Sequence, residues 1–345
     1  MNNNQSLYEM AQNEIRQRVG HMDQIAGIKL TETQDGWAKN CRFLNVWTGS
    51  GLSYSVVADR ALDISACSFN GISLAWISSV GESHPAYYEP EGVRWLRNFG
   101  GGLLVTCGLD QFGYPNVDED KELGLHGRLS NIPARYLSYQ TGWQADDYLL
   151  EISGKMRQSQ VFGENLVLER RIQSVMGKNI IHIKDRVTNE GFAAHPHMLL
   201  YHFNLGFPLL SEHSKLEANV TGTIPRDKDA EAGLDNWMHF QVPTQGFNEQ
   251  VFQHAVEPNA DGKIHVELKN PKLGLGLRWT YSPEELPHLY EWKMMGQGTY
   301  VLGVEPANCL GMHGRVDART NGQLIFLEPG ESREYHLKLE VVEYA

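Results

Sequence analysis

Residues 165–188 read NLVLERRIQSVMGKNIIHIKDRVT and carry the pattern that decides the fold. The segments 165–175 and 180–188 follow the period of two that is typical of β-strands. Met176-Gly177-Lys178-Asn179 separates them with residues that favour a turn. The stretch therefore predicts a β-hairpin.

The same period continues after residue 24, with frequent turn signals such as Asn70-Gly71. Residues 226–262 are richer in polar residues and predict long loops. Because dense strands occur without alternating long helices, we expect an all-β fold, a large antiparallel β-sandwich. The other predicted strands are 53–59, 62–69, 196–204 and, as a terminal pair around Pro329-Gly330, 323–328 and 333–343.

The first segment has a different period. Its apolar residues recur at steps of three and four, which predicts a helix over residues 6–20 on the edge of the sheet, with Gly20 as its stop. We therefore expect an N-terminal helical extension, residues 1–23, and a single β-sandwich domain, residues 24–345. The apolar face of the helix comprises Leu7, Met10, Ala11, Ile15, Val19 and Met22.

Composition narrows the class of protein. The chain has 345 residues and a formal net charge of −12, because 42 Asp and Glu outnumber 30 Lys and Arg. Without a basic stripe to neutralise phosphates, nucleic acid is not an expected partner. A small anionic ligand stays open, since it needs only one or two arginines.

Cysteines and hydropathy indicate the compartment. The four cysteines have no C-x-x-C spacing and are too few for a disulfide framework, so we expect reduced thiols. The polar N-terminus does not fit a signal peptide, and no apolar run reaches the 18 or so residues of a membrane span. These features predict a cytoplasmic protein without a membrane partner.

Three segments carry candidate chemistry. The first is His126-Gly127-Arg128, preceded by the glycine-rich residues 98–102. The second is residues 200–206, LYHFNLG. The third is residues 303–309, GVEPANC, preceded by Glu291-Trp292-Lys293.

In this order the segments resemble motifs of the aldose 1-epimerase (galactose mutarotase-like) superfamily, in particular those of a related domain family of unknown function. HGRLSNIPA, residues 126–134, resembles the HGFAR-type motif of hexose-6-phosphate epimerases, and NFGGGLL, residues 98–104, resembles their RGG segment. YHFNLG resembles the superfamily's H-x-Y-F-N-L strand, and VEPAN resembles the segment with its catalytic glutamate. The resemblance runs from about residue 24 to the end and implies the superfamily's supersandwich fold.

The central strand departs from the superfamily pattern. The catalytic histidine of that pattern stands four residues before the asparagine, where this chain has Leu200. Its own histidine, His202, stands two residues before Asn204. Because residues two apart on a strand share a face, His202 points to the same side, about 6–7 Å further along.

The resemblance implies an isomerase that interconverts sugar anomers, with Glu305 as the base and His202 as the acid. It also implies that His126 holds a hydroxyl or the ring oxygen. The expected partner is a small-molecule sugar or sugar derivative, without a cofactor or metal, and a homodimer is compatible with the sequence. The other implied substrate contacts are Arg60, Asp63, Arg97, Arg128, Asn204, Trp292, Lys293 and Asn308.

Structural interpretations stand beside these roles. A strand histidine such as His202 is often a hydrogen-bonded structural residue, and Glu305-Pro306 fits a strand end, because proline cannot continue a ladder. Arg60 and Asp63 fit a structural ion pair, and Trp292 fits a core position.

The pair His195 and His197 suggests a metal site at first sight. On a regular strand both would face away from His202 and Asn204, and no acidic third ligand stands nearby in sequence. We therefore predict no metal there.

A second function class is open, because fold does not determine function. A non-catalytic sugar-binding or sensing protein on the same scaffold is the alternative to an isomerase. The two differ in whether His202 and Glu305 face each other across one pocket with room for a pyranose. A lyase or hydrolase would need a further acid–base pair, which the sequence does not indicate.

Overall fold

Antiparallel strands dominate the computed structural model, which describes residues 10–344. In chain order they are β1 (Gly27–Glu32), β2 (Arg42–Trp47), β3 (Leu52–Val57), β4 (Asp63–Phe69), β5 (Ile72–Ser73), β6 (Leu104–Leu109), β7 (Asn116–Asp118), β8 (Lys121–Leu123), β9 (Arg135–Gln144), β10 (Asp147–Ser159), β11 (Asn165–Val175), β12 (Ile180–Asn189), β13 (His195–Leu205), β14 (Lys215–Ala218), β15 (Val220–Pro225), β16 (Gln250–Val256), β17 (Ile264–Asn270), β18 (Leu275–Tyr281), β19 (His288–Gly296), β20 (Thr299–Ala307), β21 (Ile325–Leu327) and β22 (Ser332–Glu343).

Helical structure is confined to short pieces within the described residues. The α-helices are α1 (Gln12–Arg16), α2 (Lys228–Glu231) and α3 (Arg315–Thr320). The 3₁₀ turns are Met22–Gln24, Pro85–Tyr87, Arg94–Asn98, Leu129–Asn131 and Leu234–Asn236. None of the helices in residues 10–344 has the length and apolar composition needed to cross a membrane.

The strands form two large antiparallel sheets. The larger has 12 strands in the order β1-β2-β3-β4-β6-β13-β20-β19-β16-β15, with β5 beside β4 and β21 beside β13. The smaller has eight in the order β14-β17-β18-β22-β12-β11-β10-β9, and β7 pairs separately with β8. The predicted all-β antiparallel sandwich is confirmed. The proposed boundary at residues 23 and 24 stays a prediction.

Most of the predicted strands occur, and one predicted hairpin does not. Strands β11 and β12 pair around the turn at 176–179, as expected. The terminal pair is wrong, because β21 pairs with β13 in the larger sheet, whereas β22 lies between β18 and β12 in the smaller one. Pro329-Gly330 therefore carries the chain from one sheet to the other.

The N-terminal helix is shorter than predicted. Of the predicted range 6–20, residues 6–9 lie outside the described part, and α1 covers only Gln12–Arg16. Ile15 is its buried residue, and Val19 packs against the core after the helix has ended. A helix this short depends on such packing, because an isolated turn is costly to nucleate.

The central strands of the larger sheet are buried on both faces. On β13, Leu199, Tyr201 and Phe203 face the core between the two sheets. The alternate residues, including Leu200, belong to a second apolar cluster on the other face, which connecting segments cover. The alternation along β13 thus separates a packing face from a face that is available for a site.

A buried ion network joins the sheets. Arg170 on β11 contacts Asp63 at 2.9 Å and Asp185 at 2.6 Å, and Tyr201 donates its hydroxyl proton to Asp185 at 2.7 Å. Asp63 also accepts hydrogen bonds from the backbone and hydroxyl of Thr106. The alternative pairing of Asp63 with Arg60 is therefore wrong, because Arg170 occupies this carboxylate inside the sandwich. The substrate contact implied for Asp63 stays a prediction to which this geometry gives no support.

Replacing Arg170 with alanine leaves two buried carboxylates without their counter-ion. We expect the free energy of unfolding to fall by about 3–5 kcal/mol, measured by urea denaturation. Arg171→Ala is the matched control, because the side chain of Arg171 is half-exposed and its ion pair with Glu151 is long, at 3.7 Å. Its loss should stay below about 1 kcal/mol. Equal losses for the two variants would contradict the role of the network.

Candidate active site

Two neighbouring strands bring His202 and Glu305 together. Strands β13 and β20 pair with Leu200 opposite Ala307 and Phe203 opposite Val304. The same register places His202, which lies between these two pairs, directly opposite Glu305. Both side chains are buried, and His202 Nε2 lies 3.1 Å from Glu305 Oε1.

Asn308 holds this register. Its backbone N–H donates to the Leu199 carbonyl at 3.0 Å, and its side-chain Oδ1 accepts from the Leu199 N–H at 2.8 Å. Its Nδ2 donates to the hydroxyl of Tyr335 at 3.1 Å, on the side of the smaller sheet. The substrate contact implied for Asn308 stays a prediction to which the geometry gives no support, because both ends of its amide are used within the sandwich.

A tight turn carries His126 to the same place. His126 and Gly127 have positive φ angles of 56° and 72°, and a Cβ on Gly127 would lie 2.4 Å from the Gln111 carbonyl oxygen. The glycine therefore lets the turn approach the backbone at Gln111 closely. The ring of His126 lies 5.5 Å from that of His202, centroid to centroid.

These three residues share one pocket, as predicted. The cleft measures about 790 Å³, including space open to solvent. Trp292 lies on its wall with its ring 5.5 Å from His202, and Phe99 lies equally close. The catalytic and binding roles of the residues stay predictions.

Two charged residues at the pocket were missed by sequence reasoning. Arg226 directly follows β15, and Glu249 directly precedes β16, so the pairing of these strands brings them together. Arg226 Nη2 donates to Glu249 Oε1 at 2.8 Å, and Trp292 Nε1 donates to Glu249 Oε2 at 2.8 Å. Both residues lie in the stretch that predicted only loops, and no local motif marks them.

Lys293 and Arg60 do not reach the pocket. Lys293 follows Trp292 on β19 and so points to the opposite face, where its ammonium donates to the carbonyls of Asn236 and His239. Arg60 is buried and donates to Ser83 at 3.0 Å. Their implied substrate contacts stay predictions to which the geometry gives no support, because both cations hydrogen-bond to connecting segments.

Arg97, Arg128 and Asn204 also lie outside the pocket lining. Arg97 and Arg128 are exposed, and Arg128 lines a separate polar cleft. Asn204 donates to the carbonyl of Gly102 at 3.0 Å. The direct substrate contacts implied for these three residues therefore find no support in the geometry.

Asn204 instead lies beside the ring of His202. Its side chain favours the protonated form of that histidine, although no hydrogen bond between them is completed. Among residues 10–344, Asn204 Oδ1 and His202 Nδ1 are both buried without a hydrogen-bond partner. This position lets Asn204 influence the orientation of His202.

His195 and His197 are not part of a cluster of potential metal ligands among the described residues. His197 is buried between the carbonyl oxygen of Leu109, at 3.0 Å, and the hydroxyl of Tyr335, at 2.7 Å. Within residues 10–344 no group of three or more His, Cys, Asp or Glu side chains gathers as a metal would require.

Burial sets the protonation of the site. Burial raises the pKa of Glu305 to about 8, and the carboxylate of Glu249 adds to the shift. Burial lowers the pKa of His202 well below its usual value, and the ring of His126 lowers it further. Burial also lowers the pKa of His126 to about 4. At neutral pH Glu305 therefore carries a proton, and both histidines are uncharged.

A model of the domain family described as a domain of unknown function (DUF4432) matches residues 38–341. The chain belongs to this family. No similar protein was found among the curated proteins. The pocket described above therefore belongs to a member of the DUF4432 family.

Solved structures place this DUF4432 chain in a wider fold group. A Klebsiella pneumoniae protein whose name suggests an aldose 1-epimerase has a TM-score of 0.87 and 24% identity, over 92% of this chain and 83% of its own. A galactose mutarotase-like protein from Clostridium acetobutylicum has a TM-score of 0.62 and 13% identity, over 93% and 99%. Galactose 1-epimerase from Lactobacillus acidophilus has 0.58 and 13%, over 93% and 100%. These similarities show the galactose mutarotase-like fold.

Glu305→Gln tests the burial of this carboxyl group. The pKa of Glu305 is higher in the folded state than its usual value of 4.5, so its contribution to stability is present below that value and is lost as the pH rises through about 8. Glutamine cannot ionise. We expect the Tm of the variant relative to wild type to rise by roughly a few degrees between about pH 5 and pH 9.

Paired thermal unfolding curves measure this difference. Glu217→Gln is the control, because Glu217 is exposed on β14 and should show no such trend. A Tm difference for Glu305→Gln that does not change with pH would contradict the raised pKa.

Proposed function

We propose that this protein is a sugar mutarotase, an isomerase that interconverts the anomers of a small sugar by acid–base catalysis. One observation carries the proposal: a buried histidine and a buried carboxyl group, 3.1 Å apart, lie in a cleft with aromatic walls. The fold group of the similar structures supports it.

The reaction needs one base and one acid. The base removes the proton of the anomeric hydroxyl while the acid protonates the ring oxygen, so the C1–O5 bond breaks and an open-chain aldehyde forms. Rotation about C1–C2 then presents the other face of the carbonyl. The reverse proton transfers close the ring as the other anomer.

In this proposal His202 is the base and Glu305 is the acid for ring opening. This is the reverse of the roles that the resemblance implies, because burial leaves the proton on Glu305 and keeps His202 neutral. Since the residues touch, they act from one side of the sugar rather than from opposite sides. Ring closure returns each proton to its origin.

Trp292 offers an apolar face to the C–H side of the sugar in this proposal. Its indole N–H is bonded to Glu249, which fixes the plane of the ring. We also propose a cytoplasmic location, because all four cysteines are buried free thiols.

A non-catalytic sugar-binding protein is the second candidate. The observation that favours it is the direct contact of His202 with Glu305, which leaves no sugar-sized gap between them. Anomer exchange measured by NMR with a panel of aldoses and ketoses separates the two. Saturation transfer without exchange for every sugar would favour the binding protein.

Glu305→Gln should reduce the exchange rate by about 10²–10⁴-fold while sugar binding is largely kept. Glutamine has nearly the same shape and still forms hydrogen bonds, but it cannot give up or accept a proton in this step. His202→Asn should show a similar loss. NMR exchange rates and saturation transfer on the same samples measure the two effects.

Glu291→Gln is the matched control. Glu291 is also a buried carboxyl group close to a histidine, His254 at 3.0 Å, but it lies on the face of β19 opposite Trp292. Its variant should keep exchange activity within a few-fold per folded molecule. Full activity in Glu305→Gln, or an equal loss in Glu291→Gln, would remove the basis for the catalytic pair.

The rate should depend on pH in a direction set by the pair. Activity requires protonated Glu305 and neutral His202, so it should show no loss near pH 6.5 and should fall as the pH rises through about 8. The exchange rate, corrected for the uncatalysed rate at each pH, measures this. A fall in activity as the pH rises through about 6.5, together with a fall below about pH 4.5, would instead assign the acid role to His202 and the base role to Glu305.

A further inference from the structure

We propose that the pocket selects an uncharged sugar that presents an apolar edge, such as a deoxy sugar, and that Glu249 enforces the exclusion of anionic sugars. This inference rests on the proposed function, because it names the substrate class of the same site.

The first argument is charge. Arg226 is the cation in the pocket lining formed by the described residues. Its Nε donates to Asp227 at 2.8 Å, its Nη2 donates to Glu249 at 2.8 Å, and its guanidinium lies 5.1 Å from the ring centre of Tyr114. Two carboxylates thus share one guanidinium, so no net positive charge remains for a phosphate, sulfate or carboxylate.

The second argument is the cost of freeing that cation. Glu249 is held at both oxygens, by Arg226 and by the indole N–H of Trp292. An anionic substrate group would have to replace Glu249 at Arg226 and would then lie close to the displaced carboxylate. Like charges at such a distance repel each other, although the half-exposed Glu249 side chain leaves part of this repulsion screened by solvent.

The other cations of the candidate motifs do not help an anion. Lys293 is bound by two carbonyls on the far face of β19, and Arg60 is bound within the connecting segments. Arg97 and Arg128 are exposed and do not line the pocket. Among residues 10–344, the pocket lining therefore has no second lysine or arginine beside Arg226.

The third argument is the apolar wall. Leu200 stands on the same face of β13 as His202, two residues from it, and contributes carbon where the superfamily pattern has a histidine. A hydroxyl against such a wall loses its hydrogen bonds to water and gains none, which disfavours it relative to a hydrogen or a methyl group. The other carbon-rich members of the wall are Trp95, Phe99, Phe112, Leu125 and Val251.

Matched sugars that differ at one carbon test this inference. D-galactose, D-fucose, D-galacturonate and D-galactose 6-phosphate share the configuration of carbons 2 to 5 and differ only in the group at carbon 6. D-glucose with its 6-deoxy, uronate and 6-phosphate forms gives a second series of the same kind. The 2-deoxy forms of both sugars test whether the apolar wall lies at the carbon 2 edge of the ring instead of at carbon 6. The exchange rate above the uncatalysed rate gives kcat/KM for each.

In at least one series, we expect a deoxy sugar to exceed its fully hydroxylated parent by at least about tenfold in kcat/KM. We expect the anionic members to fall at least about tenfold below the parent. Anionic sugars that react as well as the parent would overturn the exclusion. Deoxy sugars that gain nothing in either series would overturn the apolar edge.

Two variants test the part played by Glu249. Glu249→Gln removes one carboxylate and keeps one acceptor oxygen, which can serve Arg226 or Trp292, so the ratio of anionic to neutral kcat/KM should rise by at least about tenfold. Arg226→Met removes the cation and should not raise that ratio. An unchanged ratio in Glu249→Gln would show that another feature excludes anions.

Failure of the proposed function gives a different result. In that case no sugar shows exchange, and saturation-transfer NMR on the same panel measures affinity instead. The same order of preference, deoxy above parent above anion, is then expected for binding. Tightest binding of an anionic sugar would overturn the inference whether or not the protein is an enzyme.

Discussion

The register between β13 and β20 is the constraint on which the site depends. The double hydrogen bond of Asn308 to Leu199 fixes it a few residues from the pair. In this register Pro306 lies opposite Tyr201. Because proline has no backbone N–H, it cannot donate a hydrogen bond to β13. Side-chain contacts and the flanking backbone hydrogen bonds must therefore hold the two strands together at this point. A slip of one residue would turn His202 toward the core between the sheets, where the ring would meet only packed apolar side chains.

Burial of both faces of the central strands explains the chemistry that the site can support. Strand β13 alternates residues that pack between the sheets with residues that face the pocket, so the pair is desolvated while remaining reachable. The pair His254 and Glu291 shows that desolvation alone is not enough. It has the same residue types in similar contact, but it lies outside the pocket lining. Access from the pocket, rather than the pairing of a histidine with a carboxyl group, therefore distinguishes the candidate site.

The sequence predicted the parts of the structure that depend on local pattern. The hairpin at 165–188 followed from alternation and a turn, and the shared pocket of His126, His202 and Glu305 followed from three motifs in a familiar order. The alternation along β19 already implied that Lys293 and Trp292 point to opposite faces, so the two could not both line one pocket. The partner of Asp63 was not predictable, because Arg170 reaches it from the other sheet and only the packed sandwich makes them neighbours.

The contact between Arg226 and Glu249 could not be predicted from the sequence. They are 23 positions apart in a polar stretch, and their meeting depends on the pairing of β15 with β16 at the edge of the larger sheet. The backbone N–H of Arg226 donates to the carbonyl of Val251 at 2.9 Å, so Arg226 is anchored to the same sheet that carries His202 and Glu305. In the proposed function, the fold thus separates two tasks on one scaffold: the central strands hold the groups proposed to move protons, and the sheet edge holds the charges proposed to select the sugar. A change of partner at the edge can then alter the choice of sugar without moving His202 or Glu305.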